Sequence, residues 1–109
     1  MATGIEYRTI ERLGNDPVYA KRVAYTIPSG GIGSTSNLTD IVIPHEISNF
    51  GRIVRYCANA GNYPLPSMSS VGGSTSVNIV DATNIHLRIY KDTWSAGTFY
   101  FNLYYTKAT

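Results

Sequence analysis

Residues 98–106 read Thr-Phe-Tyr-Phe-Asn-Leu-Tyr-Tyr-Thr. In an extended chain this puts Phe99, Phe101, Leu103 and Tyr105 on one side and Tyr100, Asn102, Tyr104 and Thr106 on the other. A helix would scatter the same residues around its circumference, so the segment is a strand. The run Ile85-His86-Leu87-Arg88-Ile89-Tyr90 alternates in the same way, and so does Val77-Asn78-Ile79-Val80. Strands cannot stand alone in water; each must be paired and must cover its apolar face.

Further strands are expected upstream. Val18–Ile27 is rich in β-branched and aromatic residues and is stopped by Pro28. Leu38–Pro44 offers Leu38, Ile41 and Ile43 as its buried side. Arg52–Ala58 follows the connector His45–Phe50, and a turn is expected at Asn59-Ala60-Gly61-Asn62. Ile5–Ile10 is a short strand or an ordered lead-in. Ser29–Asn37 is expected to be a flexible glycine-rich loop, and Ser67–Thr75 is a second Gly/Ser-rich stretch. Pro64 and Pro66 keep Tyr63-Pro64-Leu65-Pro66 out of any central strand. Asp92–Gly97 is expected to be a short hairpin loop. With strands at 8–15-residue spacing and no helices between them, the fold class is all-β. The expected form is an antiparallel β-sandwich, jelly-roll-like, with residues 1–16 as lead-in and 17–109 as its single domain.

Composition narrows the function. Charged residues make up 15% of the 109, against about 25% in an average domain. Nine Lys/Arg and seven Asp/Glu are scattered singly for a net +2, so no phosphate-binding stripe exists and nucleic acid is not an expected partner. No apolar run approaches about 18 residues, so no membrane insertion is expected. Met1-Ala2-Thr3-Gly4 leads directly into polar sequence, so no secretory leader is expected. Cys57 is the single cysteine and is expected to be a small buried apolar group.

The combinations that catalysis needs are missing. His45-Glu46 is followed by Ser48 and Asn49, so the zinc-protease spacing H-E-x-x-H does not occur. His86 belongs to the polar side of its strand, where a hydrogen-bonded role is expected. Asp81 and Asp92 sit beside Asn and Thr and are expected to form turns. No serine lies in a G-x-S-x-G elbow. Gly30-Gly31-Ile32-Gly33 is not a phosphate loop. The expectation is a non-enzymatic chain with no cofactor and no metal.

Recognition remains. Trp94 is the single tryptophan; it either folds back on its own sheet or stacks on a ligand or a subunit. Tyr63, Asn62, Asn59 and Arg55 form a second group with sugar-binding chemistry, flat aromatic faces plus amide and guanidinium donors. The candidate glycan-binding set is therefore Trp94, Asp92, Tyr63, Asn62, Asn59 and Arg55. The last strand is aromatic on both faces, and Tyr is favoured at subunit contacts, so Tyr100 and Tyr104 are candidate oligomer-interface residues.

Three segments together resemble the carboxy-terminal domain of bacteriophage and prophage tail proteins. Arg12-Leu13-Gly14-Asn15-Asp16-Pro17-Val18-Tyr19-Ala20-Lys21 is similar to the family's W-x-D-G-K-P-I-Y-x-K. His45-Glu46-Ile47-Ser48-Asn49 is similar to its H-G-I-S-N, with Glu46 in place of the glycine. Asn84-Ile85-His86-Leu87-Arg88, Asp92 and Tyr105-Thr106-Lys107 are similar to its N-I-x-I-R…D…Y-T-K, and Pro64-Leu65-Pro66 falls where it often has L-P. The resemblance covers residues 6–107. It implies a homotrimeric all-β tail-tip module of a virion, released by host lysis. Its partners would be host cell-surface polysaccharide and other tail proteins. The alternative it leaves is a trimerisation or capping domain of a longer fibre.

Overall fold

The computed structural model describes residues 2–61, 63–68 and 72–108. Among the described residues nine strands run in chain order: β1 (Glu6–Leu13), β2 (Asp16–Thr26), β3 (Ile32–Pro44), β4 (Phe50–Ala60), β5 (Tyr63–Pro64), β6 (Ser67–Met68), β7 (Ser74–Val80), β8 (Asn84–Trp94) and β9 (Thr98–Lys107). They form two antiparallel sheets, ordered β1-β2-β9-β4-β5 and β3-β8-β7-β6, packed as a sandwich. Ile5–Ile10, expected as a short strand or an ordered lead-in, falls largely within β1, the longer Glu6–Leu13 outer strand of the five-stranded sheet. The proline-bearing Tyr63–Pro64 takes the opposite edge, where a missing N–H does no harm.

The strand with the clearest alternation is the centre of the larger sheet. Phe99, Phe101, Leu103 and Tyr105 are fully buried or nearly so, and they face Ile85, Leu87 and Ile89 of β8 across the core. Each such side chain removed from water contributes about 1.5–3 kcal/mol, so these two alternating strands hold most of the core.

Irregularities in the ladders decide where the alternation changes side. In β3 and β8, residues 35–37 stand opposite Lys91 between the pairs Ser34↔Asp92 and Leu38↔Tyr90, and Lys91 adopts φ 52°. Up to Ile89 the odd residues of β8 face the core; beyond Lys91, Asp92 and Trp94 turn inward. Gly33, at φ 93°, sits so close that a Cβ there would lie 2.2 Å from the Asp92 carbonyl oxygen.

Four expectations are corrected. The segment 29–37 is not a loop throughout: β3 begins at Ile32 because β8 continues to Trp94 and pairs with it. For the same reason the hairpin loop shrinks to 95–97 and Trp94 ends a strand. Leu38 is half exposed; Ile41 and Ile43 share the core-facing parity, and Leu38 shares that of Asp40 and Val42. Cys57 is exposed, because it pairs with Asn102 on the solvent side of β9 while Ala58 takes the inner position opposite Phe101.

Candidate functional site

Trp94 closes one end of the sandwich. Its ring meets Phe99 edge-on at 5.0 Å and Tyr63 edge-on at 6.2 Å. The register explains the meeting, since Ala60 pairs with both Phe99 on β9 and Tyr63 on β5. The indole N–H donates to Thr75 Oγ1 (2.9 Å), whose hydroxyl donates in turn to Asp92 Oδ2 (3.0 Å). Buried indole N–H groups need an acceptor, and fully buried Thr75 supplies it. The nitrogen is thereby spoken for, and what Trp94 offers outward is carbon surface.

That surface lines a cleft of about 290 Å³ with Ile27, Ala60, Tyr63, Ala96 and Thr98. Tyr63 is 63% exposed at its rim. Among the described lining residues there is no acid, base or nucleophile beyond the Tyr63 and Thr98 hydroxyls. A second hollow of about 260 Å³, lined by Gly30, Gly31, Ile32, Gly33 and Thr93, also touches Trp94.

The candidate glycan residues therefore divide. Trp94, Tyr63 and Asp92 come together, Asp92 through Thr75 rather than through a turn. Asn59 binds the Gly61 carbonyl (3.1 Å) and shapes the bend after β4. Asn62 lies outside the described residues. Arg55 is elsewhere, on the solvent face of the five-stranded sheet, where it pairs with Glu11 and covers the Tyr104 ring at 4.1 Å from its centroid. Its hydrogen bond holds the Glu11 carboxyl below its ordinary range. Tyr100 lies on the same face with Arg22 at 5.7 Å. Arg22 also donates to Asn102 Oδ1 (2.9 Å). Both candidate interface tyrosines are thus half-buried beneath arginines of their own chain.

Thr75, Ile27 and Thr98 also belong to this end of the sandwich and carry no motif in the sequence. The need of a buried indole for an acceptor is the signal that could have pointed to a hydroxyl such as Thr75.

The histidines are structural in geometry. His86 Nε2 lies 2.7 Å from Asp81 Oδ2, and Asp81 Oδ1 accepts the Thr83 and Asn84 amides. The Thr83 amide first, then His86 and the Asn84 amide, hold the Asp81 carboxyl well below the usual carboxylate range. His45, almost fully buried, uses Nε2 toward the Asp81 carbonyl (2.9 Å) and Nδ1 as acceptor for the Ile47 amide (3.2 Å).

Compared with known protein families, curated proteins and solved structures, the chain matches none.

Proposed function

We propose that this chain is a non-catalytic recognition module of a phage tail that binds a bacterial surface glycan in the Tyr63–Trp94 cleft. The observation that carries the reading is the pairing of an exposed tyrosine with a tryptophan whose only polar atom is already satisfied. Such a pair presents apolar ring surface to the C–H faces of a sugar, and the cleft volume of about 290 Å³ stands near the small end of ligand pockets, about 300 Å³. That size suits a single sugar unit of a longer polymer. Weak single sites of this kind gain strength when displayed in several copies.

The tail assignment draws on the three resembling segments, which meet in space. Lys21 of the first donates to the His45 (2.8 Å) and Glu46 (3.0 Å) carbonyls of the second. The Ala108 amide, next to Lys107 of the third, donates to the Asn49 carbonyl (2.7 Å). Glu46 has φ 56°, a left-handed conformation that favours the glycine the family has there.

The test is retention of the purified chain on immobilised bacterial surface polysaccharides. Tyr63→Ala is expected to weaken retention roughly tenfold, equivalent to about 1.4 kcal/mol, with the fold intact. Retention unchanged in Tyr63→Ala would remove the cleft from the reading, and no retention of the native chain on any polysaccharide would remove the reading itself.

A further inference from the structure

The four-stranded sheet turns its second face to solvent, and the register arranges that face in rows. Leu38 of β3, Tyr90 of β8, Ser74 of β7 and Met68 of β6 form one row; Val42, His86 and Ile79 form another. Leu38, Val42, Met68 and Ile79 are each at least half exposed. Ile79 is out there because the ladder slips between Val77 and Ile79, leaving Val77 and Val80 to the core. Water-facing apolar residues in two rows of one sheet face are what an interaction surface looks like.

Between the two apolar rows stand Asp40 and Arg88, opposite one another in register. Among the described residues neither side chain makes an ion pair or a hydrogen bond. One acid and one base, adjacent and unpaired, flanked on both sides by apolar groups, form a self-complementary charge pattern. A two-fold interface needs that pattern, because residue i must meet residue j while j meets i.

We propose that this face binds a second copy of the chain, about a two-fold axis running along the strands midway between β3 and β8. That operation lays β3 of one copy over β8 of the other. Asp40 meets the partner subunit's Arg88 and Arg88 meets the partner subunit's Asp40. Leu38 covers the partner subunit's Tyr90, and Val42 covers the partner subunit's His86. Ile79 and Met68 flank the partner's β3 edge. An axis along β8 itself would bring Arg88 against its own copy, and an axis along the Asp40–Arg88 row would do so for both charges. Only the axis between the strands pairs opposite signs. The contact does not depend on the Tyr63–Trp94 cleft. It is two-fold, in contrast to the trimer implied by the tail resemblance, and it lies on the sheet opposite Tyr100 and Tyr104.

The test is solution mass by light scattering across a dilution series, with circular dichroism to verify each fold. The native chain is expected at twice the chain mass. Asp40→Arg and Arg88→Asp are each expected at the monomer mass, because each brings like charges together across the axis. Mixed in equal amounts, the two variants are expected to return to the dimer mass. The mixture is decisive: within each variant chain the neighbouring charges remain alike, so only pairing between chains restores association. Val42→Ser should raise the concentration at which the dimer dissociates, and Tyr104→Ser should leave the mass unchanged. A native monomer, a trimer insensitive to both charge reversals, or a mixture of folded variants that stays monomeric would each overturn the proposal.

Discussion

The Glu6 carboxylate accepts the Tyr105 hydroxyl, joining the first strand of the five-stranded sheet to its central one over the intervening β2. The same carboxylate stands 2.8 Å from Lys107 Nζ. Burial, with the hydrogen bond to Glu6 second, pushes the Tyr105 hydroxyl far above its ordinary pKa. Burial alone would raise Glu6, but the hydrogen bonds from Lys107 and Tyr105 outweigh it and hold the carboxyl below its ordinary range.

A tyrosine whose folded pKa is raised contributes stability that is complete below the unfolded value, about 10, and is lost as pH rises beyond it. The resistance of the native chain to urea should therefore fall above about pH 10. Tyr105→Phe is expected to cost about 1–3 kcal/mol at neutral pH and to flatten that alkaline loss. An equal alkaline loss in both proteins would place its origin elsewhere.

Asp81 works in the opposite direction. Its folded pKa is depressed, so its contribution is present above the unfolded value of about 3.9 and fades as pH falls below it. Thermal melts should show an acid-side decline that Asp81→Ala lacks. At neutral pH Asp81→Ala should lower Tm by a few degrees, because the Thr83 and Asn84 amides lose their acceptor.

Phe101 and Cys57 lie on neighbouring central strands but on opposite sides of the sheet. Phe101→Ala opens the core between Val23 and Ala58, its cross-strand neighbours, and is expected to cost about 3–5 kcal/mol. Cys57→Ser on the solvent face should stay within about 0.5 kcal/mol. Urea midpoints measured side by side check both.

Gly33 and Gly30 both have positive φ, 93° and 96°, but only Gly33 is crowded. Gly30→Ala reports backbone strain alone, about 1–3 kcal/mol. Gly33→Ala adds collision with the Asp92 carbonyl and should lower Tm further. It should also change the fluorescence of Trp94, which sits on the same stretch of β8. Equal Tm losses would mean the bulge yields freely.

The parts of the fold that could be read from sequence are those where the alternation runs unbroken. In β9, each of Phe99, Phe101, Leu103 and Tyr105 landed in the core. Cys57 is small and apolar enough to suggest burial, but its parity with Arg55 and Asn59, against Tyr56, Ala58 and Ala60, places it on the solvent side. Trp94 was readable as an anchor but not in orientation. Strict period two groups it with His86, Arg88 and Tyr90 on the solvent face, and it is the Lys91 irregularity that turns it inward. The Tyr63–Trp94 cleft itself depends on β4 pairing with both β5 and β9, a long-range register with no local sequence signal. The position of Arg55 away from the cleft has no local signal for the same reason, since its partner Glu11 lies on β1, across β2 and β9.

The extra residues of β3 have a protective effect as well. β3 is a thirteen-residue edge strand with no neighbour on its outer side among the described residues, and an exposed edge of that length is a template for runaway strand addition. Ser34 Oγ takes the amides of Ser36 (3.2 Å) and Asn37 (3.3 Å), so two donors that a passing strand would seek are already occupied. Pro44 ends the strand with no amide to give. The bulge that re-aims Trp94 thus also occupies amides along the border of the sheet and makes that edge a poorer template for strand addition.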